Sequence, residues 1–210
     1  MPEKLFPTTR LEAFSDGVLA VIITIMVLDL RVPYESGLRG IFSLVPPLFI
    51  YLLSFAFTAI YWVNHHHLID RVKQCDHRVL YANMGFLFSI SLLPFFTKYV
   101  LEKDADSFSV TLYAASMIVT GGSFLLLRLA IRRLLQANHE FDTKDLATQR
   151  KHLVSLTLYI VSIPLAHFHP HIALGIITVI TIIWITPTAY AEPWKGRRRH
   201  PGHGSHSHNG

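Results

Sequence analysis

The sequence predicts an all-α integral membrane protein with six transmembrane helices. Three observations lead there: the chain is 51% hydrophobic and only 16% charged, its charges fall in short patches, and long apolar runs separate those patches. A soluble domain carries about 25% charged residues, so this chain lacks the polar surface to cover a globule. Inside a bilayer only helices and closed barrels satisfy the backbone, and runs this long are helical.

The segments follow in order. Residues 1–10 form a short polar entry, and Thr9-Arg10-Leu11-Glu12 reads as a capping box that opens the first helix. Apolar stretches then occupy residues 11–32, 41–68, 77–101, 108–134, 152–168 and 170–191. Each is near or above the roughly 20 residues that cross a bilayer. The first has no small-residue cleavage site behind it and is expected to stay as a helix rather than be removed. Pro46-Pro47 falls near the start of the second, where proline costs least or kinks the chain. Pro94 lies late in the third and should bend or end it. Gly121-Gly122-Ser123 in the fourth lacks the lysine of a phosphate loop, so close helix packing is the expected use. Residues 11–192 thus make one membrane domain, and the basic, histidine-rich residues 193–210 read as a disordered tail.

Orientation follows from lysine and arginine. With the N-terminus cytoplasmic and six spans, 15 of the 19 basic residues fall inside, leaving only Arg31, Arg39, Lys98 and Lys103 outside. That bias places both termini in the cytoplasm. It also accounts for the net charge of +5 without nucleic acid, for which no basic helix or aromatic-basic platform exists. Cys75 is the single cysteine, which excludes an intrachain disulfide and a cysteine metal cluster. No nucleophile, metal-ligand set or cofactor motif suggests an enzyme.

The first helix carries the strongest signal. Asp16 is a carboxylate one to two turns into an apolar span, and such a group costs about 2.5–3.5 kcal/mol at a helix centre unless it is partnered. At about 100° per residue, Phe14, Gly17, Val21, Thr24, Ile25 and Leu28 share one face, and Asp16 points about 140° away from Val21. The carboxylate should therefore face helices of its own subunit. The second helix ends in Trp62-Val63-Asn64-His65-His66-His67 at the same membrane surface. A network of Arg10, Ser15 and Asp16 with Trp62, Asn64 and one or two of the histidines is expected there. Consecutive histidines point about 100° apart and cannot all grip one metal ion. His167, His169 and His171 sit in an outward turn around Pro170, and His200, His203, His206 and His208 could take metal adventitiously.

Arg10-x-x-x-Phe14-Ser15-Asp16, the Trp62…Asn64-His65-His66 cluster and Leu93-Pro94-Phe95 resemble the transmembrane-protein-175 family of endolysosomal potassium channels and their prokaryotic relatives. The specific match covers about the first hundred residues; the last three helices agree only in hydropathy and length. The resemblance implies a single-repeat prokaryotic member that assembles as a homotetramer in the cytoplasmic membrane and conducts potassium ions. It implies a central pore lined by the first helices, with Val21, Ile25 and Leu28 as constrictions and Thr24 as a hydroxyl ring. It assigns Arg10, Phe14, Ser15, Asp16, Trp62, Asn64, His65 and His66 to holding that helix. Val21 is smaller than the isoleucine or leucine usual at the first constriction, which would widen that ring. Asp29, near the outer end, is placed to concentrate cations. The alternative is a proton-coupled or metal-ion transporter using Asp16 and His65–His67, although no acid follows Asp16 until Asp29.

Overall fold

The computed structural model describes residues 5–137 and 144–185. A two-residue strand β1 (Phe6–Pro7) leads into helix α1 (Thr9–Leu28). Then come a short α2 (Gly37–Ser43), α3 (Val45–Ile69), strand β2 (Gln74–Cys75) and α4 (His77–Ser91). They are followed by α5 (Leu93–Glu102), α6 (Ser107–Ala137), α7 (Lys144–Phe168) and α8 (Pro170–Ile185).

Proline explains where two predicted helices break. Pro46 and Pro47 lack the N–H groups that would continue the ladder from α2, so the stretch expected as one helix splits at Leu44. Pro94 does the same at Leu92, dividing the third apolar segment into α4 and α5. The fourth stretch is a single helix of 31 residues. Asp106 starts it by accepting the Ser109 N–H on its carboxylate at 2.7 Å, an N-cap arrangement. That backbone hydrogen bond, helped by the Ser109 side chain, holds the Asp106 carboxyl below the usual carboxylate range.

Among the described residues, five helical stretches are long and apolar enough to cross a membrane: Thr9–Leu28, Val45–Ile69, His77–Glu102, Ser107–Ala137 and Gln149–Phe168. The apolar α8 has 16 residues. Its predicted continuation to residue 191 and the predicted tail at 193–210 lie outside the described residues. Two small departures from an all-helical chain are β1 and β2, which pair antiparallel, with Phe6 opposite Cys75 and Pro7 opposite Gln74.

The core forms around α6, which packs against α4, α5, α7 and α8. Tyr61, Phe86 and Phe124 meet at its centre with ring centroids 5.1–5.7 Å apart. Gly121 allows that approach: a Cβ there would lie 2.9 Å from Leu156 Cδ1 and 3.2 Å from the Tyr61 hydroxyl. Gly122 has open space beside it, so only the first of the two glycines is needed for packing. Hydroxyls tie the helices where water is absent. Ser54 Oγ lies 2.8 Å from Thr97 Oγ1 and 2.7 Å from the Tyr113 hydroxyl, and Ser89 and Ser123 are 2.6 Å apart. Such interhelical hydrogen bonds are worth about 0.6–2 kcal/mol in membranes.

Candidate functional site

Helix α1 divides into two faces. Leu11, Ser15, Leu19, Ile22 and Met26 are buried against the rest of the protomer. Phe14, Gly17, Val21, Thr24, Ile25 and Leu28 are all exposed. The exposed row is centred about 130° round the helix from the buried one. Leu28 is 80% exposed and Val21 54%, so four large apolar side chains and a threonine face outward from a single copy of the chain. Thr24 returns its hydroxyl to the Val21 carbonyl at 2.9 Å, which leaves its oxygen free to accept on the exposed face.

The buried face carries a directed chain of hydrogen bonds. Ser15 donates to the Leu11 carbonyl at 2.8 Å, and Asn83 Nδ2 donates to Ser15 Oγ at 3.0 Å. Asn83 Oδ1 lies 2.8 Å from His65 Nε2, so Nε2 carries the proton. All three side chains have no exposed surface. His65 stacks on Phe86 at 5.7 Å, and its Nδ1 is buried with no partner among the described residues. The chain therefore joins α1, α4 and α3 at one end of the bundle.

A second layer lies nearer the surface. Trp62 Nε1 donates to Asp16 at 2.9 Å, and His66 meets Glu12 at 3.2 Å while stacking on Trp62 at 6.1 Å. Asp16 thus turns to α3 of its own subunit. The single network expected from the sequence is two, with a changed membership. Asn83 and Glu12 join it; Arg10 is exposed and has no hydrogen bond or ion pair to another described residue. Asn64 donates to the Ile60 carbonyl of its own helix at 2.7 Å, and Phe14 lies on the exposed face, 54% accessible. His65 and His66 have different partners, and the exposed His67 ring lies 5.7 Å from that of His66. Asn83 was missed because its surroundings read as plain apolar span, yet an amide within such a span is itself a signal of a buried partner.

Both ends of α1 are tied down. At the start, the expected capping box does not form: Thr8 precedes the helix and makes no side-chain cap. Its hydroxyl lies 3.1 Å from the Val72 carbonyl and 3.3 Å from that of Lys73, so it serves the α3–α4 connection instead. Phe6 packs edge-on to His77 at 4.9 Å. Cys75, fully buried in β2, has its thiol pushed up by burial and by the neighbouring Asp76 carboxylate. At the other end, Asp29 pairs with Lys98 at 3.3 Å and Arg31 with Glu102 at 2.7 Å. Asp29 therefore spends its charge on α5 rather than standing free for a cation.

Comparison with known proteins agrees with this architecture. The family model described as endosomal/lysosomal potassium channel TMEM175 matches residues 10–94, the stretch that holds α1 and its anchors. A potassium channel of Chryseobacterium sp. (strain P1-3) is 36% identical over 183 residues, covering 87% of this chain and 95% of that relative. A potassium channel of Chamaesiphon minutus is 32% identical, over 83% of this chain and 92% of its own. The crystal structure of a lysosomal potassium-selective channel TMEM175 homolog from Chamaesiphon minutus superposes with a TM-score of 0.72 at 27% identity, covering 84% of this chain and 95% of the other. With a relative above 30% identity matched over nearly its whole length, this chain belongs to the TMEM175 potassium-channel family.

Proposed function

We propose that this chain is the subunit of a potassium channel in which several copies, four by analogy with the family, set their α1 helices around a common axis. The observation that carries this reading is the outward row Val21, Thr24, Ile25 and Leu28 on a helix whose other face and both ends are fixed to its own protomer. An apolar row held that firmly cannot rotate inward, so it needs either lipid or its own copies. Facing copies, it forms apolar rings that penalise the more strongly hydrated sodium ion and close by dewetting. Ser15, Asp16, Trp62, His65 and His66 set the angle of α1, and Asn83 joins them. Phe14 belongs to the outward face in this reading, and Arg10 to the cytoplasmic surface.

Both termini are placed in the cytoplasm and the protein in the cell membrane, on the charge bias of the loops. The test is flux from liposomes holding purified protein, with a potassium gradient and no other. Passive, uncoupled potassium movement is expected, carried by an oligomer in native mass measurement. Strict dependence on a proton or counter-ion gradient would turn the reading toward a transporter.

A further inference from the structure

The outer end of α1 stops in an unfavourable way. Leu28 closes the helix and Asp29 caps it, with the Asp29 N–H directed to the carbonyls of Met26 and Val27. The last carbonyls of a helix form its negative pole, so a carboxylate there is destabilising and a cation is wanted. The last turn of α1 has no basic residue. No glycine closes it in a left-handed turn either, because Leu30 and Arg31 come next. Left to itself this turn would fray, and it holds Ile25 and Leu28.

The cation comes from α5. Lys98 Nζ lies 3.3 Å from Asp29 Oδ1, and the Asp29 side chain is only 19% exposed, so salt screens this pair less than one in open solvent. Pro94 makes the arrangement possible by separating α5 from α4, and α5 packs against α1 as well as α3 and α6. The core fixes α5 in turn: Leu93 and Val100 are buried, and Thr97 Oγ1 lies 2.8 Å from Ser54 Oγ on α3. Glu102, one turn beyond Lys98, takes Arg31 at 2.7 Å. Acid then base leaving α1 thus meet base then acid on α5. Exchanging the partners would set acid against acid and base against base.

We infer that Lys98 is a positioning residue for ion selectivity: paired with Asp29 from the fixed α5, it holds the last turn of α1 and with it the outermost ring, Leu28. Leu28 adjoins Asp29 and is 80% exposed, so any displacement of the turn moves its side chain directly. The inference rests on the channel reading, in which Leu28 faces its copies around the axis. An apolar constriction discriminates by being narrow, and a frayed turn makes a wider and more variable one. Lys98 acts through Asp29 and does not touch the ion.

Permeability ratios of the full-length protein in planar bilayers test it. Lys98→Gln should lower the potassium-over-sodium ratio by roughly two- to fivefold, the range that about 0.3–1 kcal/mol at a helix end converts to. The direction is that of Leu28→Ala. Lys98→Arg should keep the wild-type ratio, and Asp29→Lys combined with Lys98→Asp should recover much of what Lys98→Asp loses alone. A change confined to conductance would overturn the inference, because a cation that only tunes ion concentration at the mouth acts on both ions alike. A wild-type ratio in Lys98→Gln, where Leu28→Ala lowers it, would do the same. If Lys98→Gln cannot be purified, the exchange decides: a ratio no higher than that of Lys98→Asp alone refutes the pairing. Where Leu28→Ala also leaves the ratio unchanged, or wild-type protein passes no potassium without a coupled gradient, the channel reading itself fails and takes this inference with it.

Discussion

Asn83 is where a single side chain matters most. Its amide satisfies Ser15 on one side and His65 on the other, and all three groups are sealed from solvent. Asn83→Leu removes both hydrogen bonds; Ser15 keeps its bond to the Leu11 carbonyl, but the buried His65 Nε2–H is stranded, and a buried group left unsatisfied costs about 1–3 kcal/mol. A loss of a few kcal/mol in denaturation of the detergent-solubilised protein is expected. Asn64→Ala is the control: its amide serves only the Ile60 carbonyl one turn back, and the loss should stay below about 1 kcal/mol. On the exposed face, Leu28→Ala should widen the outermost ring and lower the potassium-over-sodium permeability ratio. Alanine variants at Val21, Ile25 and Leu28 that all leave the ratio unchanged in planar bilayers would refute the pore row. The face of α1 was legible from spacing alone, because a helix of 20 residues repeats its pattern enough times to fix which side is which. Asp16 was legible because an acid in an apolar span needs a partner, and Trp62 is that partner. The membership of Asn83 was not, since pairing across three helices depends on how they cross, which no periodicity encodes.

At the scale of elements, the question is what holds α1 at each end. The β1–β2 pair is two residues per strand, too short to persist alone, so it persists by packing Phe6 on His77 and by burying Cys75. The folded state keeps the Cys75 pKa above its ordinary value, so folding favours the neutral thiol. That contribution is complete below the ordinary thiol pKa and fades as pH rises through the raised one. Native protein should accordingly react slowly with a maleimide at neutral pH, and deletion of residues 1–8 should speed the reaction manyfold, read by mass. At the far end, Arg31 and Glu102 are 78% and 41% exposed. Surface pairs of this kind contribute about 0–1 kcal/mol, so Arg31→Ala should barely move stability. Asp106 works in the opposite pH sense to Cys75. Its depressed carboxyl supports the first turn of α6 above the ordinary carboxylate range and withdraws that support as pH falls through the lowered value. The protection factor of the Ser109 amide, its exchange relative to the intrinsic rate at each pH, should fall in acid, and Asp106→Ala should remove that pH dependence. The capping box at Thr9 misled because the motif describes side chains that are free to reach back. Here Thr8, not Thr9, precedes the helix, and the α3–α4 connection competes for its hydroxyl.

For the whole molecule, the number of membrane crossings sets everything about orientation. Hydropathy located the long helices because a bilayer imposes one length on all of them, and proline located the breaks within two of them. The last helix is the undecided one. At 1.5 Å per residue, the 16 residues of α8 reach about 24 Å, short of a hydrocarbon core of about 30 Å. The span expected from the sequence runs on to residue 191, a stretch of the roughly 20 residues a crossing takes. The basic-residue bias favours six crossings, because five would carry Lys195, Arg197, Arg198 and Arg199 to the side opposite the other cytoplasmic cations. Single cysteines introduced into a Cys75→Ala background decide the count. Glu3→Cys and His203→Cys should both be shielded from an impermeant maleimide added outside intact cells, and both should react after permeabilisation. Lys103→Cys should react from outside. A His203 position that labels together with Lys103 would mean five crossings.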